Sequence, residues 1–253
     1  MKTVALLTDF GLRDAYAGVM TGVILAGSPT SRVVDLSHGV PPQDVRMGAF
    51  TLMSAFSYFP RGTIFVCVVD PGVGTKRSIL WARTAHYQFV APDNGLISWV
   101  AQEAKFLEVR RVTEDAPHLP KVSRTFHGRD IFAPVAAGLA EGLAPALLGP
   151  EVEKIVELPF PSPRKSKGGI KGEVIAVDGF GNAITNFTKK DVGAKTLSVK
   201  ERKVGKIVES YASVGIGRPC AVVGSSGFVE MSLREGNFSA EYGVYEGETV
   251  YGG

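Results

Sequence analysis

The chain has only two cysteines, Cys67 and Cys220, far apart in its 253 residues. They form no Cys-x-x-Cys pair and no disulfide framework. Cys67 lies inside the apolar run 64–69 and reads as a small buried hydrophobe. No uninterrupted apolar run approaches the ~18 residues of a membrane span. The four apolar residues 4–7 before Thr8 and Asp9 are too few for a secretory leader. Net charge is nearly absent: 28 Lys and Arg against 25 Asp and Glu leave +3. So flat a balance gives no electrostatic footprint for nucleic acid or a membrane surface. Histidine is also scarce, at four residues, and no His or Cys pair stands at metal-ligand spacing. This spacing argues against a structural zinc, no cofactor is called for, and a carboxylate-held Mg²⁺ stays open. These absences describe a soluble, cytoplasmic, globular protein.

What is abundant is apolar residues, 45% of the chain, and glycine, 30 residues. That is ~12% glycine against a usual ~7%. The glycines are uneven: 14 fall in 1–167 and 16 in 168–253. Between the two parts, 159–169 holds three prolines, basic residues and a Gly pair, which reads as a linker. A boundary near 165 follows, with an α/β domain over 1–165 and a β-barrel domain over 166–253.

In the first part, strand patterns at 4–8, 32–36, 63–69, 79–83 and 88–91 are joined by helical stripes. One stripe runs through Tyr16, Val19, Met20, Val23 and Ile24, with Asp14 as its expected N-cap; another runs from Val45 to Phe56; a third covers 131–141. This order predicts a mainly parallel central sheet with helices packed on it. In the second part, short strands are expected at 173–177, 183–186, 206–209, 221–223 and 228–231, between Gly-rich turns. That spacing predicts a small all-β barrel.

Ligands of open α/β sheets sit beyond the carboxyl ends of the strands. Three polar clusters fall there: Thr8-Asp9-Phe10-Gly11, then the loop from Asp70 to Arg77, then Thr125-Phe126-His127-Gly128-Arg129-Asp130. Each has a structural alternative. Asp9 and Asp70 suit Asx turns, and His127 or Asp130 suits a helix cap. Gly72-Val73-Gly74 lacks both the Walker and the dinucleotide spacing. Together, however, the clusters offer carboxylates, two arginines and an imidazole along one sheet edge. His with Asp makes a base with its orienter, and Arg fixes a carboxylate in a fork. Asp9 alone has the acceptors for both hydroxyls of a ribose diol. In the second part, Asp178-Gly179-Phe180-Gly181-Asn182 and Ser225-Ser226-Gly227 read as turns or as ligand contacts, Phe180 stacking on a flat ring. Tyr211 reads as core or as contact.

The ordered set of these motifs resembles the S-adenosylmethionine hydroxide adenosyltransferase family, relatives of the fluorinases and chlorinases. The resemblance runs through both halves of the chain. It implies hydrolysis of S-adenosyl-L-methionine to adenosine and L-methionine, without a cofactor, in a homotrimer whose sites pair one subunit's first domain with its neighbour's second. Asp70, Arg77 and His127 match the family's water-activating set, and Asp9 its ribose carboxylate. Asp178, Phe180 and Asn182 match contacts to the adenosine and methionine moieties, and Tyr211 and Ser225 match further contacts. Ser226 stands where the halogenases carry an arginine on the methionine carboxylate. A halogenase and a non-catalytic sensor of S-adenosylmethionine or adenosine are the alternatives. A carboxylate at the nucleophile position argues against halide, and the fluorinases carry a longer loop in the first domain.

Overall fold

The computed structural model describes residues 1–253, which divide into two compact units, Met1–Leu158 and Pro159–Gly253. The first runs β1 (Thr3–Thr8), α1 (Tyr16–Gly27), β2 (Arg32–Ser37), α2 (Val45–Ala55), β3 (Ile64–Val68), β4 (Ile79–Arg83), β5 (Gln88–Pro92), β6 (Glu108–Val112) and α3 (Ala133–Ala140). Its six strands form one sheet in the order β2-β1-β3-β5-β4-β6. The sheet is mixed: β1 pairs parallel with β2 and β3, and β3 with β5, whereas β4 is antiparallel to both β5 and β6. The reason is local. Only 84–87 connects β4 to β5, and so short a link forces a hairpin rather than a crossover.

Alternation along β1 and β3 puts side chains on both faces of the sheet. Val4, Leu6, Ile64, Val66 and Val68 pack with Met20, Ile24, Phe132 and Val135 on one face. Ala5, Leu7, Phe65 and Cys67 pack with Leu52 and Phe56 on the other. Cys67 is fully buried, and burial pushes its thiol far above the ordinary range, so it is inert packing. No helix of the protein is long and apolar enough to cross a membrane.

Several local expectations need correction. Ala15, not Asp14, is the N-cap of α1, and it makes no side-chain capping bond. The third helical stripe opens as a π-helix over Gly128–Phe132 before α3 begins. His127 takes its N-cap position without a side-chain cap bond, and Asp130 accepts instead from the Ser123 amide at 2.7 Å.

The second unit carries β7 (Arg164–Ser166), β8 (Gly169–Val177), β9 (Ala183–Thr188), α4 (Lys189–Val192), β10 (Leu197–Val199), β11 (Arg202–Gly205), β12 (Pro219–Val223), β13 (Phe228–Leu233), α5 (Phe238–Tyr242) and β14 (Thr249–Gly252). The strand order is β11-β10-β14-β8-β9-β13-β12, with β7 on β8, and every pair is antiparallel. An isolated Ile207–Ala221 bridge helps to bring the ends together into a nearly closed, barrel-like sheet. Val174, Phe187, Leu197, Val229, Met231 and Phe238 fill it. Residues 206–209, expected as a strand, supply only that bridge, while 164–166, expected as linker, pair with β8.

Candidate active site

In the first unit the chemistry gathers beyond the carboxyl ends of β1 and β3. Asp9 directly follows β1, and Asp70 lies two residues past β3. The loop 71–78 returns from Asp70 to β4, carrying Arg77. Gly74 sits in the left-handed region (φ +76°), and a Cβ there would meet the Arg124 carbonyl oxygen at 2.2 Å. Only glycine meets both conditions. This close approach lays the Asp70 loop against the segment leading to His127.

Arg77 is the centre of the arrangement. Its Nε donates to both Asp70 carboxylate oxygens at 2.9 Å, and its Nη2 donates to Oδ2 as well. The same Nη2 lies 3.0 Å from His127 Nδ1, fifty residues further along the chain. A guanidinium can only donate, so Nδ1 accepts and the neutral ring keeps its proton on Nε2. Burial lowers the His127 pKa from its ordinary 6.5, and the Arg77 charge lowers it further; the Asp70 and Asp130 carboxylates and a hydrogen bond to the Ser123 backbone oppose them without prevailing. His127 is therefore a neutral imidazole near pH 7. Asp70 keeps a lone pair on Oδ1 beyond the bond from Arg77 Nε. The Asp70 and Arg77 side chains are only 5% and 10% exposed.

A cavity of about 300 Å³ opens against this clamp, with Asp9, Asp70 and His127 among its walls and Phe10, Tyr16 and Phe126 as its aromatic side. The rings lie with centroids 5.1–5.7 Å apart, Phe126 edge-on to both Phe10 and Tyr16 and those two tilted to each other. The Gln43 amide donates to Asp9 Oδ2 at 2.7 Å, from a backbone held at φ +66°, which fixes the direction of that carboxylate. Beneath it, buried His38 bonds Thr8 Oγ1 at 2.8 Å. Arg129 does not join the clamp. It forks onto buried Asp130 at 2.6 and 3.1 Å and lies over the Phe126 ring. Burial pushes the Asp130 carboxyl up, but Arg129 and the Ser123 amide outweigh it and hold the group below the usual range. That pair pins the turn carrying His127.

In the second unit, Asp178 closes the turn between β8 and β9. Its Oδ1 accepts from the Phe180 and Asn182 amides at 2.9 and 2.8 Å, and its Oδ2 accepts from Asn182 Nδ2 at 2.9 Å. Asn182 is nearly buried, whereas Phe180 is 81% exposed on a rigid turn. Gly181 is required there: φ is +83°, and a Cβ would strike the Asn237 side chain at 2.1 Å. Tyr211 begins a short 3-10 turn, and its hydroxyl donates to Glu230 on β13. Ser225 is exposed at the β12–β13 turn. Glu230, nearly buried, was not singled out from the sequence. Its signal was a lone charged residue within the strand Phe-Val-Glu-Met-Ser-Leu.

A mixed α/β sheet with an Asp–Arg–His clamp on its edge, followed in the chain by an antiparallel barrel-like unit, defines a particular class of two-domain protein. The chain belongs to the SAM hydroxide adenosyltransferase family: the family's N-terminal domain matches residues 4–149 and its C-terminal domain residues 172–251. It is 40% identical, over 99% of both chains, to the (R)-S-adenosyl-L-methionine hydrolase of Thermus thermophilus. A crystal structure of an uncharacterized conserved protein from Thermotoga maritima superimposes with a TM-score of 0.91, at 34% identity and 98% coverage of both chains. A fluorinase from an Actinoplanes species is more distant, at 26% identity over 98% of this chain and 96% of its own. That alignment spans 291 positions, so the fluorinase carries residues that this chain lacks.

Proposed function

We propose that the protein hydrolyses S-adenosyl-L-methionine to adenosine and L-methionine by attack of water on ribose C5′. The observation that carries this reading is the Arg77 clamp, which holds a carboxylate and a neutral imidazole beside one cavity. The sulfonium leaves as a neutral thioether and needs no acid. The difficulty is the nucleophile, because water has a pKa of ~15.7. In the proposed step the water oxygen bonds to C5′, the C5′–S bond breaks with its electron pair going to sulfur, and the water's proton passes to Asp70. Asp70 Oδ1 has the free lone pair for this. The neutral His127 ring, also bonded to the Ser123 backbone, flanks the water, and Arg77 keeps Asp70 and His127 in register. A positioned base of this kind contributes ~10²–10⁴-fold, and in-line placement behind C5′ adds a proximity gain.

Asp9, oriented by Gln43, takes the ribose diol. Asp178, Phe180, Asn182, Tyr211 and Ser225 take the adenosine and methionine moieties, as the family resemblance implies. Asp178 also shapes Phe180 and Asn182 through its Oδ1, while its Oδ2, accepting one bond from Asn182, keeps an acceptor site for the substrate. The same resemblance supports a homotrimer, which light scattering on the purified protein would read.

Hydrolysis is favoured over halogenation because the Asp70 carboxylate repels a halide at the nucleophile position. The name of the more similar relative points the same way. The test is incubation with S-adenosyl-L-methionine in oxygen-18 water, with and without chloride. Adenosine labelled at the 5′-hydroxyl is expected in both samples. A 5′-chloro nucleoside would establish the halogenase reading, binding without methionine release would establish a sensor, and unlabelled adenosine would refute attack at C5′.

A further inference from the structure

Glu230 is a carboxylate inside a barrel wall. It sits in mid-strand on β13, opposite Val222 of β12 and Ile184 of β9, and is 5% exposed. A charged group in such a place needs a partner. Its Oε1 accepts the Tyr211 hydroxyl, nineteen residues away in sequence. Its other oxygen lies over Gly224, where any Cβ would approach to 2.3 Å. The residue at 224 is therefore one that leaves room for the carboxylate. Tyr211 itself is 44% exposed, with its ring on the surface and its hydroxyl turned inward. Burial and the bond to Glu230 raise the phenol's pKa, so the hydroxyl stays protonated and donates at all working pH values. Glu230 is displaced upward from its ordinary value, first by burial and also by the Asp178 charge, while the Tyr211 bond opposes them.

We infer that Glu230 is a positioning residue for substrate binding: its carboxylate consumes the Tyr211 hydroxyl, so that Tyr211 offers a fixed ring face, rather than a polar tip, to a flat base. This rests on the reading of Tyr211 as a substrate contact. The physical gain is preorganisation. A surface tyrosine on a short turn otherwise samples several rotamers, and a hydrogen bond to a buried partner selects one of them before ligand arrives. Glu230 does not touch the reacting atoms, so its influence belongs to affinity.

The experiment compares wild type, Glu230→Ala, Glu230→Gln, Tyr211→Phe and the Glu230→Ala/Tyr211→Phe double variant. Adenosine affinity is read by calorimetry, kcat and KM from adenosine release, and folding from thermal melts. Glu230→Ala is expected to weaken adenosine binding and raise KM about tenfold, with kcat within threefold. Glu230→Gln, whose amide oxygen still accepts, is expected to recover most of that loss. The double variant should lose less than the sum of the two single variants, because one interaction links them. Should Glu230→Ala fail to fold, Tyr211→Phe and Glu230→Gln carry the same comparison. Unchanged adenosine affinity in every folded variant, strict additivity, or a loss confined to kcat would overturn the inference. If Tyr211→Ala also leaves affinity unchanged while wild type releases adenosine, the placement of Tyr211 in the site fails instead.

Discussion

Replacing Arg77 by lysine keeps the positive charge and removes the fork. In the native arrangement one guanidinium meets both Asp70 oxygens through Nε at 2.9 Å and reaches His127 Nδ1 through Nη2 at 3.0 Å. An ammonium is a point charge on a flexible stem; it cannot grip a carboxylate edge and an imidazole at once. At least one charged hydrogen bond is lost, and such a bond is worth ~1.5–3 kcal/mol. Realised in the transition state, that is roughly 10- to 150-fold in turnover. Solvent screening takes little from this figure, since the two side chains are 10% and 5% exposed. The assay is the initial rate of adenosine release across substrate concentrations, with melting temperature as the folding control. The expected result is a fall in kcat of that size with KM changed less than threefold. A variant turning over within threefold of wild type, or losing only KM, would refute the clamp as the organiser of the nucleophile.

Three further outcomes are expected. Asp9→Asn should raise KM for S-adenosyl-L-methionine about tenfold while narrowing the preference for adenosine over 2′-deoxyadenosine; calorimetry with the two nucleosides decides it, and an unaltered preference removes Asp9 from the diol. Gly74→Ala should cost about 1–3 kcal/mol from backbone conformation alone, plus the 2.2 Å encounter with the Arg124 carbonyl; a melting temperature equal to wild type contradicts the close approach. His127 is held below its ordinary 6.5 in the fold, so its neutral form stabilises the native state. That contribution is complete above the unfolded value and is lost as pH falls through the folded one. Wild type should therefore lose more stability than His127→Gln on acidification from neutral pH to about 5, and equal losses in the two melts would rule the contribution out.

The parts of the fold that could be read in advance were those with a strong local signature. The strand at 64–68 announced itself by being apolar on both faces, and it is buried on both. The polar clusters after β1 and β3 were legible because sheet topology assigns ligands to that edge. Other elements were hidden for physical reasons. The edge strand β6, Glu-Val-Arg-Arg-Val, is tied to β4 partly by the Glu108–Arg83 ion pair, and charge carries little periodicity. Strands β10, β11 and β14, of three or four residues, exist because neighbours pair with them rather than by propensity. Arg77 was a recognisable candidate, but its contact with His127 is a tertiary event that neither segment encodes. The internal bonds of Asp178, two to Oδ1 and one to Oδ2, were likewise hidden, because they arise only once the turn has closed.

The antiparallel strand β4 has a consequence for how the clamp assembles. Because β4 starts at the edge where β3 ends, pairing Ile79 with Pro92 of β5, the chain returns in one short loop and places Asp70 and Arg77 seven residues apart. A parallel strand there would need a crossover of a dozen or more residues. The ion pair is thus a local contact of low sequence separation, and loops of that size close in ~10–100 ns. His127 stands fifty residues later. At a ribosome adding about 5–20 residues per second, it emerges roughly 2.5–10 s after Arg77. Asp70 and Arg77 therefore emerge together, well before His127.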